Sequence, residues 1–144
     1  MSAVVSDTLF MRLETSAATG TPAGAPVLAR LRYEASDPYA VTVAFCQDGT
    51  VPAEWRFDRE MLVEGLRRPL GEGRVRFRPR WSGHRHELCI TLLGSEDEDA
   101  GRRAVITAWA PPLMAFLNRT FAAVPGGEER TGLDSFLARV LAEG

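Results

Sequence analysis

Arginine occupies every second position from Arg74 to Arg80, with Val75, Phe77 and Pro79 between them and Trp81 following. A side-chain period of two belongs to the β-strand, whose successive residues leave on opposite faces. Segment 73–81 is therefore predicted to be a strand with one arginine face, Arg74, Arg76, Arg78 and Arg80 rooted roughly 7 Å apart. With Ser82-Gly83 as a two-residue turn, the returning strand sets His84 opposite Trp81, Arg85 opposite Arg80, Glu87 opposite Arg78, Leu88 opposite Phe77 and Ile90 opposite Val75. That register gathers Val75, Phe77, Leu88 and Ile90 on an apolar face and leaves Arg78 and Glu87 as a cross-strand ion pair on the other.

Strand patterns dominate the rest of the chain. Residues 4–14 alternate, and TSAATGTPAGAP at 15–26 reads as a flexible loop. Segments 27–35, 39–47 and 51–58 follow, separated by SDP and DGT turn signals. Asp58 is a helix N-cap for an apolar set of Met61, Leu62 and Leu66 that stops at Pro69. Strands at about 73–81, 85–93 and 102–109 come next, then a helix opened by Pro111 and Pro112 with Leu113, Phe116, Leu117 and Phe121 as its stripe. A terminal helix is expected from Leu133, Phe136, Leu137, Val140 and Leu141, and at about 11 residues it must dock on its own domain or another chain. The order of strands, helix, strands, helices reads as an α+β domain with two antiparallel β-sheets, each followed by helices.

A length of 144 residues suits one domain with one core, and no apolar run approaches the roughly 20 residues of a membrane span. The N-terminal residues lack a basic lead and a long apolar stretch, so no export signal is read there, and Cys46 and Cys89, embedded in apolar patterns, suit buried thiols in a reducing compartment. The net charge of −2 argues against a globally basic nucleic-acid binder. All 17 basic residues are arginine, a coding bias that weakens the row as a sign of phosphate recognition.

Two readings of the arginine strand follow: a partner-binding or solvated sheet face, or a groove for single-stranded nucleic acid. The second needs rings beside the cations on which bases can stack, and the pattern puts Phe77 and Trp81 on the opposite, core-facing parity. Trp55, Trp81, Trp109 and Tyr33 are read as core or edge packing, and Tyr39, beside Asp37-Pro38, as a residue that fixes a loop at a subunit contact. No nucleophile with a base in a recognisable motif is present, the Gly-rich turns lack a P-loop lysine, and the carboxylates around Asp58 are explained by capping. His84, His86 and Cys89 have no second ligand pair at zinc spacing. No enzyme, metal or cofactor is expected.

Three blocks carry a resemblance. Leu31, Arg32, Tyr33, Asp37, Pro38, Tyr39, Ala40 and Val41 form the first; Trp55, Phe57, Arg59, Met61, Leu62, Gly65, Leu66, Arg68 and Pro69 the second; Phe116, Leu117, Arg119, Thr120, Val124 and Pro125 the third. In this order they resemble the SsgA-like sporulation and cell-division proteins of actinomycetes over nearly the whole chain. That resemblance implies a non-enzymatic cytoplasmic protein at division septa, an adaptor that helps localise the tubulin-like GTPase FtsZ and whose partners are FtsZ, other SsgA-like or septum proteins, or both, with a whirly-like fold and a homotrimeric state. It implies a mainly structural role for the block residues. The blocks flank Arg74, Arg76, Arg78, Arg80 and Arg85 without including them, which leaves those arginines as candidate partner contacts. A whirly-like single-stranded nucleic-acid binder is the alternative.

Overall fold

Alternation decides where each strand turns its side chains. In β1 (Val4–Ser16), Val5, Leu9, Met11 and Leu13 are buried, whereas Ser6, Thr8, Phe10 and Arg12 take the other parity. The computed structural model describes residues 3–16, 24–47, 50–94 and 103–126. After β1 come β2 (Ala25–Glu34), β3 (Ala40–Gln47), β4 (Thr50–Asp58) and a short helix, α1 (Arg59–Gly65). The second half holds β5 (Leu70–Glu72), β6 (Val75–Ser82), β7 (Arg85–Leu93), β8 (Arg103–Trp109) and α2 (Ala110–Ala123). The terminal helix read from Leu133 to Leu141 lies outside the described residues.

The strands form one antiparallel eight-stranded sheet in the order β4-β3-β2-β1-β8-β7-β6-β5, not the two separate sheets expected from the sequence. The join is β1. Its length lets Val4–Leu13 pair with β2 while Met11–Ser16 pairs with β8, with a register shift at Glu14. Six strand spacings separate β4 from β6, about 29 Å in a flat sheet. Yet the rings of Phe57 on β4 and Phe77 on β6 meet edge to face at 5.5 Å, so the sheet folds back on itself around a single core. Both helices pack on that inner side: α1 bridges β4, β5 and β6, while α2 lies on β1, β7 and β8 and touches α1. Leu62, Leu113, Phe116 and Leu117 contribute their buried faces to the same core.

Local signals account for the helix ends. The Asp58 carboxylate accepts from the Glu60 and Met61 amides at 2.8 and 3.3 Å, the N-cap expected of it. Two prolines open α2, where their missing amides cost nothing. At the far edge β5 covers only Val75–Phe77 of β6, and Pro79 sits in the uncovered half, where a strand tolerates a residue with no amide to donate.

The β6–β7 hairpin departs from the expected register by two residues. Trp81 faces His86, Arg80 faces Glu87, Phe77 faces Ile90 and Val75 faces Leu92, with Gly83 and His84 as the loop. Gly83 adopts φ +61°, a conformation glycine enters without steric penalty, and it serves as the first loop residue rather than the second. A shift of two preserves side-chain parity, so the arginine face stays outward although every cross-strand partner changes.

Candidate functional site: the outer face of the sheet

With the helices inside the fold, the opposite face of the sheet is the outer one, and the arginine row lies on it. Only part of the row is available there. Arg74 belongs to the turn before β6, and its guanidinium stacks over the Trp55 ring at 5.4 Å. Arg76 folds back to donate to the carbonyls of Gly73 and Val75, each at 3.0 Å. Arg80 is half-buried and forks onto Glu14 at 2.6 and 3.2 Å, with Glu87 at 3.6 Å. Arg78 is exposed opposite Cys89, with no acidic partner among the described residues. Arg85 approaches Glu87 at 3.7 Å and lies 5.9 Å from the Trp109 ring centre.

Arg80 and Glu14 anchor a small ionic cluster. Arg12 reaches Glu14 at 3.1 Å and Glu87 at 3.4 Å, so Glu87, with only 7% of its side chain exposed, is surrounded by Arg12, Arg80 and Arg85. The expected Arg78–Glu87 pair is thus replaced by Arg80–Glu87, a consequence of the two-residue register shift. Hydrogen bonding from Arg80 holds the Glu14 carboxyl at about 2, against partial desolvation, with further help from Arg12 and Thr107. The same pair raises the Arg80 pKa. A carboxylate with a depressed folded-state pKa stabilises the fold fully above its ordinary value of 4.5 and loses that contribution as pH falls toward 2. Because the pair is partly solvated, its contribution is about 1–2 kcal/mol. Between pH 7 and pH 3 the unaltered chain is expected to lose about 1 kcal/mol more stability than Glu14→Gln, read from urea midpoints. Parallel pH profiles would show that the ion pair contributes nothing.

Two rings that the sequence assigned to packing stand on or near this surface. Trp109 is 52% exposed on the outer face, and Trp81, expected in the core, is 66% exposed, its ring stacked on His86 at 3.8 Å. Phe10, at 78% exposure, was not singled out by the sequence. The signal was a parity break: Phe10 and Trp109 occupy the polar parity of β1 and β8, opposite to Met11 and Ala108. His86 lies half-buried with Nε2 2.9 Å from the Leu66 carbonyl, while Cys89 is buried on the other parity beside Thr107. His84, at the loop, does not bring the three together.

The block residues converge elsewhere, inside the fold. Arg59 is fully buried and donates from one terminal nitrogen to the carbonyls of Thr120 at 3.1 Å and Val124 at 2.8 Å. Its guanidinium lies 4.0 Å from the Phe121 ring centre and 4.9 Å from that of Tyr33. Its amide donates to the Tyr39 carbonyl at 2.7 Å, and the Tyr33 hydroxyl donates to the Pro38 carbonyl at 3.2 Å. One residue from the second block thereby ties together the first and third. The Thr120 hydroxyl closes onto Leu117 at 2.6 Å, Phe116 and Leu117 are buried, and Phe57, Gly65 and Leu66 line the same interior. Asp37 forms a two-pronged pair with Arg56, Arg32 pairs with Glu34 at 2.7 Å, and Arg119 lies 3.6 Å from Asp7. Tyr39 is 38% exposed and Pro69 is exposed between α1 and β5. No described helix is long and apolar enough to cross a membrane.

Residues 27–129 match the family model described as "Streptomyces sporulation and cell division protein, SsgA". The chain is 41% identical over 145 residues to the sporulation-specific cell division protein SsgB of Streptomyces coelicolor, covering 99% of each. It is 38% identical over 109 residues to SsgB of Thermobifida fusca, covering 76% of this chain and 75% of that one. It superposes with a TM-score of 0.78 and 40% identity on a solved chain described under "Mutations in SsgB correlate to longitudinal cell division during sporulation of Streptomyces coelicolor", covering 91% of this chain and 96% of the other. An SsgA-like sporulation-specific cell division protein from Thermobifida fusca superposes with the same TM-score at 32% identity, covering 96% of each chain. This chain belongs to the SsgA family of sporulation and cell division proteins, with SsgB-named relatives along its whole length.

Proposed function

We propose that this chain is a non-enzymatic cytoplasmic adaptor of sporulation-specific cell division, acting as a homotrimer that helps localise FtsZ at septum sites. The observation that carries the reading is end-to-end similarity to a sporulation-specific cell division protein, SsgB, at 41% identity. The outer face suits such a role, since it presents arginine and aromatic side chains that the fold does not consume. A trimer would multiply weak contacts into avid attachment.

The test is binding of the purified chain to FtsZ and to a labelled single-stranded oligonucleotide at two salt concentrations, with the mass in solution recorded. Saturable FtsZ binding by a trimer, without oligonucleotide binding, is expected. The second reading, a single-stranded nucleic-acid binder, is favoured by Trp109 standing on the arginine face, where the sequence had placed no ring. Against it, Arg80 and Arg12 are held by Glu14 and Glu87, which interrupts a phosphate track. Tight, steeply salt-dependent oligonucleotide binding with no FtsZ response would replace the adaptor reading.

A further inference from the structure

Phe10 and Trp109 lie on adjacent strands, one position beyond the Met11–Ala108 pair, so their side chains leave the outer face at neighbouring positions. Leu28 on β2 lies directly opposite Phe10, and Glu87 on β7 directly opposite Trp109; Ser6, Thr8, Arg12 and Thr107 are the polar positions along their own strands, and no strand pattern requires an aromatic at either place. Arg12 follows Phe10 on its own strand, Arg30 sits diagonally across on β2 opposite Thr8, and Arg85 lies over Trp109. Exposed aromatic anchors ringed by arginine have the composition of interface hot spots.

We propose that this patch docks an acidic polypeptide segment of the division partner, an apolar side chain seating against Phe10 and Trp109 while carboxylates meet Arg30 and Arg78. The inference rests on the adaptor reading and adds to it the surface and the chemistry of the segment bound. Charge selects the occupant. Arg12 and Arg85 are already paired to carboxylates of this chain, whereas Arg30 and Arg78 have no acidic partner among the described residues. A two-fold contact of this face with its own equivalent would set arginine against arginine, which costs association free energy, and the contacts of a closed trimer are head-to-tail, so they do not pair this face with itself. A nucleic-acid strand needs an unbroken cationic path, and the acid-clamped Arg80 interrupts it. An acidic segment with one apolar anchor satisfies the rings together with Arg30 and Arg78, which lack an acidic partner among the described residues.

The test measures FtsZ affinity of the full chain and of Phe10→Ser, the double variant Arg30→Glu with Arg78→Glu, and Arg67→Glu on an exposed residue after α1. Circular dichroism and solution mass accompany each measurement, and the oligonucleotide serves as a second probe. Phe10→Ser and the arginine variant are expected to weaken FtsZ binding about tenfold or more, with Arg67→Glu changed less than about twofold. If Phe10→Ser fails to fold, the arginine variant decides, because its side chains are exposed. Undiminished binding by the folded face variants overturns the docking surface and leaves the adaptor reading standing. Loss of the oligomer in those variants assigns the face to a second copy, and loss of oligonucleotide binding assigns it to nucleic acid; either result overturns the proposal. No FtsZ binding by the unaltered chain overturns the adaptor reading and this inference with it.

Discussion

Arg59→Ala is expected to destabilise the fold by about 3–5 kcal/mol, more than any surface substitution in this chain. The side chain is fully buried at the junction of β4 and α1, where it closes the carboxyl end of α2. The last carbonyls of a helix have no partner within it and carry the negative end of its dipole, so a buried cation there satisfies hydrogen bonding and charge at once. The Thr120 carbonyl keeps the Val124 amide as a donor after truncation, at 2.9 Å, but Val124 loses its guanidinium. An empty volume also opens between Tyr33 and Phe121, whose rings sandwich the guanidinium. Arg59→Lys keeps the charge and loses the planar fork, and an intermediate cost of about 1–3 kcal/mol is expected. Urea unfolding with an unchanged slope reads both values. A midpoint for Arg59→Ala within error of the unaltered chain would show that the cluster contributes no net stability.

The second large effect is expected at Gly65, the last residue of α1. A Cβ there would lie 2.6 Å from the Cβ of Phe77, an atom tied to the β6 backbone that cannot swing aside. Gly65→Val should therefore cost about 2–3 kcal/mol through overpacking. Gly65→Ala tests the sign. Helix propensity alone predicts a gain of about 0.5–1 kcal/mol from alanine, whereas the contact predicts a net loss. A stabilised Gly65→Ala would mean that α1 can lift from β6 at little cost. Adding Phe77→Ala should not restore stability, since it keeps the crowded β-carbon and empties part of the core.

Both positions stand in the blocks that carry the family resemblance, and the structure supplies the physical reason for them. Arg59 read from sequence is one more charged residue before a helix; its burial depends on α2, which begins some fifty residues later, being folded against it. Gly65 reads as an ordinary weak helix residue until β6 is seen to pass within contact of α1. Asp58, by contrast, was legible as a cap because the bonds it makes span only two and three residues. The hairpin shows the boundary between the two cases. Its parity followed from alternation, which set Arg76, Arg78 and Arg80 on one face although Arg74 lies in the turn before the strand, but its register depended on whether Gly83 takes the first or second loop position.

Alternation, caps and turn residues thus determined the described strands other than the three-residue β5, which was read as a turn, the two described helices and the side of most strands that enters the core, because these depend on neighbours within a few residues. Tertiary structure decided the rest. The continuity of the sheet depends on β1 pairing with β8, almost a hundred residues away, and the spent state of Arg80 depends on Glu14 at the shift in that same pairing. Which rings face outward was decided at the same level. Trp81 stands exposed against His86 at the end of β6, and Phe10 and Trp109 share an outer surface only because their two distant strands are neighbours. Local periodicity reports which face a residue occupies, whereas what lies opposite that face is set by contacts between segments far apart in sequence.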